Sequence, residues 1–121
     1  EYMPDAEELL THVRSIVDVD IEILTSMGTF DPFLGKEVKR QKTNWLAERN
    51  INYPRNFVRS KVEKSKYATE TSILIDDSIG CIDPFVAKGG EGILHKSTAE
   101  TIPLLDSTVL RLRALDALRL Q

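Results

Sequence analysis

Cysteine is almost absent. A chain of 121 residues with Cys81 alone cannot form an intramolecular disulfide, which excludes the cross-linked framework of a small secreted scaffold and fits a reducing compartment. Aromatic residues are sparse too, at 7%, so a core must be built mainly from aliphatic side chains within the 41% hydrophobic fraction. Positive charge is not in excess. Sixteen Lys and Arg stand against nineteen Asp and Glu, a net charge of −3 that gives no electrostatic footprint for a nucleic-acid polymer. No apolar run approaches the roughly 18 residues that a membrane span needs. With no charged-then-apolar leader either, a cytoplasmic protein without a membrane partner is expected. The length fits one domain over residues 1–121. The sequence opens at Glu1 inside a helix signal, which is read as the mark of a missing N-terminal segment.

What is present is a series of short apolar runs separated by helical periodicity. Pro4 and Asp5 precede a stripe of Ala6, Leu9, Leu10, Val13, Ile16 and Val17, an amphipathic helix. Strands are expected at 21–26, 56–59, 72–75 and 92–95. Helices are expected at 35–49, 62–68 and 83–88, followed by two at 98–105 and 107–120. Strands that alternate with helices and have near-continuous apolar cores indicate an α/β fold with a parallel sheet covered on both faces. In such sheets ligands bind outside the carboxyl ends of the strands. That rule gathers Thr25-Ser26, the segment from Arg59 to Lys66, Asp76-Asp77 and His95 at one rim.

The run Ser72-Ile-Leu-Ile-Asp-Asp-Ser-Ile79 is the most specific of these. An apolar strand that ends in two carboxylates suits a hard cation such as Mg2+, which takes oxygen ligands and keeps several waters. The bland alternative is a pair of turn or capping aspartates. Thr25-Ser26 offers hydroxyls and consecutive N–H groups suited to phosphate oxygens, or else forms an ordinary strand-to-loop turn. Among Lys61, Lys64 and Lys66, one could neutralise a phosphoryl group while the others stay solvated. Lys36, Lys39, Arg40 and Lys42 form a basic helix face, read as a solvated surface offset by Glu37, with substrate steering as the alternative. His12 reads as surface, Cys81 as a small buried side chain, and Asp18 with Asp20 as a decoy too close to Thr25 for a crossover. His95 lies at a strand end but has no partner in the pattern.

Taken in order, Ile23-Leu-Thr-Ser26, Lys42-Thr-Asn-Trp-Leu46, Lys64-Ser-Lys-Tyr-Ala68, Ile73-Leu-Ile-Asp-Asp77 and Phe85-Val-Ala-Lys-Gly-Gly-Glu-Gly-Ile-Leu-His95 resemble the haloacid dehalogenase superfamily of phosphohydrolases. The likeness is to its 5'(3')-deoxyribonucleotidase-like branch and spans residues 20–105. It implies a Rossmann-like three-layer sandwich and a Mg2+-dependent phosphomonoesterase acting on a small phosphorylated substrate, a nucleotide by analogy. It also implies roles for particular residues. Thr25 and Ser26 would bind phosphate, Lys64 or Lys66 would be the motif lysine, and Asp76 and Asp77 would hold Mg2+, with Asp77 the more direct ligand. Lys66 stands ten residues before Asp76, a spacing seen in this branch, whereas Lys64 better matches the helix start. The sequence does not choose between them.

The departure is the first motif of that family, an Asp-x-Asp on the central strand that supplies the nucleophile. Nothing in these 121 residues fills it. Truncation is the favoured explanation; a strand supplied by a partner chain and a scaffold kept without catalysis are the others. The expected function is the C-terminal portion of a phosphomonoesterase that is inactive alone. The alternative is a non-catalytic α/β binding or interaction module. A receiver domain fits poorly, because its acidic pair precedes the Thr and Lys. The segment 107–120, apolar on more than one face, is expected to pack on the sheet and contribute to a homodimer.

Overall fold

A computed structural model describes residues 6–119. Chain order gives α1 (Ala6–Ser15), β1 (Ile23–Ser26), α2 (Pro32–Glu48), β2 (Arg55–Val58), a 3-10 helix (Val62–Tyr67), β3 (Ile73–Asp76), α3 (Ile79–Ala87), β4 (Glu91–Leu94) and α4 (Thr98–Arg119). The expected α/β character and parallel pairing are present. The strands form two separate parallel pairs, β1 with β2 and β3 with β4, where one sheet was expected. Each pair is a βαβ unit. Parallel neighbours need a long crossover, and α2 and α3 supply the two crossovers.

Local chemistry explains the helices. Glu7 and Glu8 at the start of α1, with His12 and Arg14 at its end, complement the helix dipole. The Pro4 and Asp5 of the expected start lie outside the described residues. In α2 the Asp31 side chain accepts from the N–H groups of Phe33 and Leu34, and Pro32 occupies the first turn, where its missing N–H costs nothing. The helix therefore begins three residues before the expected Gly35. Helix α3 begins at Ile79, four residues before the expected Asp83, with Ser78 at its N-cap position. It closes at Gly89, whose φ of 99° suits glycine. Gly90 lets the Phe85 ring lie on the backbone, since a Cβ there would come within 2.2 Å of the ring.

The expected break in the last helix does not occur. Asp106-Ser107-Thr108 looks like a new N-cap, but the hydroxyls of Ser107 and Thr108 donate backwards to the Leu104 carbonyl, at 3.0 and 2.7 Å. Helix α4 thus runs through, packing on β4 and α1.

The core centres on Leu74, Cys81, Ile82 and Phe85, with Leu24, Ala68 and Leu94 packed against it. Leu24 is the link between the pairs, since it comes from β1 and touches the cluster that β3 and α3 build. Beneath α2, Leu46, Ile51 and Val58 are buried separately. Among the described residues no helix is long and apolar enough to cross a membrane.

Candidate functional site

The carboxyl ends of β1 and β3 carry the charged groups. At the end of β3, Asp76 Oδ2 pairs with Lys64 Nζ at 2.7 Å. Both side chains are about nine-tenths buried, at 11% and 9% exposure, so this is a buried ion pair and not a surface bridge. The other oxygen, Oδ1, accepts from the Ser78 N–H at 3.0 Å. Burial pushes the Asp76 carboxyl up, but the Lys64 hydrogen bond and charge, then the Ser78 N–H and the Cys81 thiol, outweigh it and hold the carboxyl below its usual range.

At the end of β1, Lys42 reaches in from α2. Its Nζ donates to Thr25 Oγ1 at 2.5 Å and to the Ser26 carbonyl at 2.7 Å. An ammonium can only donate, so Thr25 Oγ1 is the acceptor and its own proton points elsewhere. The hydroxyl is thereby set as a donor for a third group, such as an anion. Ser26 Oγ is used differently, accepting from the Gly28 N–H at 3.1 Å to close the turn after the strand. Burial depresses the Lys42 pKa, and the Lys64 charge depresses it further. The two ammonium groups therefore share one neighbourhood, although they stand on different elements.

Lys64 is buried against Asp76, while Lys66 is exposed and 3.6 Å from Glu63. Lys42, assigned from the sequence to a solvated basic face, instead points into the rim. Lys36, Lys39 and Arg40 on the same helix are exposed. Its spacing is consistent with this, since Lys42 sits three residues before Trp45 and four before buried Leu46, on the inward side of α2. Cys81 is buried at 1%, as expected of a small core side chain. His95 is buried, and its Nδ1 bonds Thr101 Oγ1 at 2.6 Å, so its ring is tied into α4. His12 bonds Asp106 at 2.7 Å. Asp18 and Asp20 are exposed.

Asp77 is exposed beside the pair, next to Asp76 in sequence. No group of three or more His, Cys, Asp or Glu converges among the described residues. Two carboxylates nevertheless suit Mg2+, which is commonly held by one or two of them with waters and substrate phosphate completing its shell. A cavity of about 490 Å³ is lined by Ile23, Leu24 and Thr25 of β1 and by Gln41, Lys42, Trp45 and Leu46 of α2. The chain matches no protein-family model, no curated protein and no solved structure.

Proposed function

We propose that this chain is the phosphate- and metal-binding portion of a Mg2+-dependent phosphomonoesterase of the haloacid dehalogenase type, acting on a small phosphorylated substrate of the nucleotide class. The observation that supports it most is the pairing of Lys42 with Thr25 at the carboxyl end of β1 and of Lys64 with Asp76 at the carboxyl end of β3. Thr25 and Asp76 stand 51 positions apart in sequence, and each lies at or beside the carboxyl end of its strand. In this reading Thr25 donates its hydroxyl proton to a phosphoryl oxygen. Lys42 orients Thr25 and adds positive charge, and Lys64 fixes the Asp76 carboxylate. Asp77, with the remaining lone pairs of Asp76, would hold Mg2+, which when bound neutralises charge on the phosphoryl oxygens. In this reading a central strand of a Rossmann-like sandwich would enter between β1 and β3. The nucleophilic aspartate belongs on that strand, so the described residues bind phosphate without turning it over.

The test is titration of the chain with inorganic phosphate in the presence of Mg2+, alongside hydrolysis of p-nitrophenyl phosphate and nucleoside monophosphates. Phosphate binding should depend on Mg2+ and weaken about tenfold or more in Thr25→Val, which removes one hydrogen bond to a charged group. Asp77→Asn should remove the Mg2+ dependence. Hydrolysis should stay at background. Rapid hydrolysis by the 121 residues alone would overturn the assignment of a missing nucleophile. Absence of any phosphate binding would favour the non-catalytic interaction module.

A further inference from the structure

The loop between β1 and α2 ends in an aromatic side chain that the helix does not use. Asp31 is the N-cap of α2, so Phe30 stands at the position before the cap. A hydrophobic residue there ordinarily packs on the fourth residue of the helix and fixes the entry angle of the chain. In α2 that fourth residue is Gly35, which has no side chain to receive it. Its place is filled by Met27, whose Sδ would lie 3.3 Å from a Cβ at Gly35. Phe30 is left 64% exposed. A ring in water forgoes the burial that would otherwise stabilise the fold.

The ring is nevertheless held. The Arg59 guanidinium lies over one face, 5.0 Å from the ring centroid. Arg59 is fixed in turn by Glu63, since its Nη2 donates to Oε2 at 2.9 Å and its backbone N–H to Oε1 at 2.7 Å. Glu63 directly precedes Lys64, the partner of Asp76, on the 3-10 helix. With one face against Arg59 and most of the ring exposed, the opposite face is open to solvent. Strand register places this ring near Thr25. Thr25 pairs with Phe57, and the Met27 N–H bonds the Val58 carbonyl, so the pairing runs to the end of β2. Arg59 stands two residues beyond the partner of Thr25, about 7 Å along the strand direction. The sugar of a nucleotide bridges a gap of that order between phosphate and base.

We propose that Phe30 is the platform on which the base of a nucleotide stacks while its phosphate is held at Thr25. The base lies on the open face of the ring. Arg59 and Glu63 are positioning residues that hold the ring from behind. Stacking is tolerant of base identity, because every base has a π-face, and purines with their larger ring system should gain more than pyrimidines. The proposal rests on the phosphatase reading for the phosphate and assigns the part of the substrate that the reading leaves without a contact.

Calorimetric titration of the 121-residue chain in Mg2+ with inorganic phosphate, ribose 5-phosphate and adenosine 5'-monophosphate tests this. The nucleotide should bind about fivefold or more tighter than ribose 5-phosphate, the gain from one stacked base. Phe30→Ala should bring the two to equal affinity and leave inorganic phosphate unchanged, and Phe30→Trp should restore the difference. Arg59→Met should shrink the preference, again without change for inorganic phosphate. Phe33→Ala removes a ring that is 81% exposed on the first turn of α2 and should leave the preference intact. Adenosine, which carries no phosphate, should shift the Phe30 ring resonances at millimolar concentration. If inorganic phosphate fails to bind while adenosine shifts Phe30, the phosphatase reading falls and the base contact stands. With phosphate binding intact, equal affinity for the nucleotide and ribose 5-phosphate would overturn the platform. So would an equal loss of preference in Phe33→Ala, or an adenosine titration that leaves Phe30 unmoved.

Discussion

The Lys64–Asp76 pair decides more than any other residue contact. Removing one partner strands a buried charge, so Asp76→Asn or Lys64→Met should destabilise the fold by about 3–5 kcal/mol. The double variant Lys64→Met with Asp76→Leu should cost much less than the sum, because neither charge is left unpaired. Urea denaturation of the three variants checks this; additive losses would show that the pair is not coupled. The same carboxylate sets the acid limit. Asp76 is held below its usual range, and Glu63 is pushed down to about 2 by the hydrogen bonds of the Arg59 side chain and backbone N–H. Both carboxyls bind protons more tightly in the unfolded chain. Their contribution is therefore complete above the ordinary carboxylate pKa of about 4 and is lost as pH falls through the depressed folded values. Urea midpoints should drop as pH falls from about 4 to about 2, and the drop should be shallower in Asp76→Asn. Equal slopes would remove Asp76 from the account.

Elements were legible where their signals are local. Apolar runs gave all four strands to within one or two residues, whereas the expected start of α2 at Gly35 passes over the cap signal of Asp31-Pro32. Asp31→Ala should cost about 1 kcal/mol by leaving the Phe33 and Leu34 N–H groups without their acceptor. Thermal denaturation checks it, and an unchanged melting point would show that water replaces the cap. Where two local signals conflict, sequence reasoning has no means of choosing. Asp106-Ser107-Thr108 can cap a new helix or bond back within an existing one. The packing of α4 on both β4 and α1 favours the continuous helix. Lys42 is a similar case, since its position on α2 fits either a basic face or an inward reach until β1 is placed beside it.

At the scale of the whole molecule, two βαβ units meet through Leu24 and through the charges at their rims. On α4, Leu104, Leu115 and Leu118 fall on one stripe and are 51%, 44% and 66% exposed. An exposed apolar stripe on a long helix favours association. Light scattering should show concentration-dependent self-association, reversed by Leu115→Glu with Leu118→Glu; a monomer at high concentration in the unsubstituted chain would exclude the homodimer. The sequence by itself determined the alternation of strands and helices, the parallel sense of the pairing and the residues at the strand ends, because these follow from periodicity and crossover length. Only the tertiary structure decided that the strands form two pairs, that Lys64 and not Lys66 meets Asp76, and that Lys42 holds Thr25. Those outcomes depend on which side chains from distant segments can be desolvated together, and no local pattern encodes that.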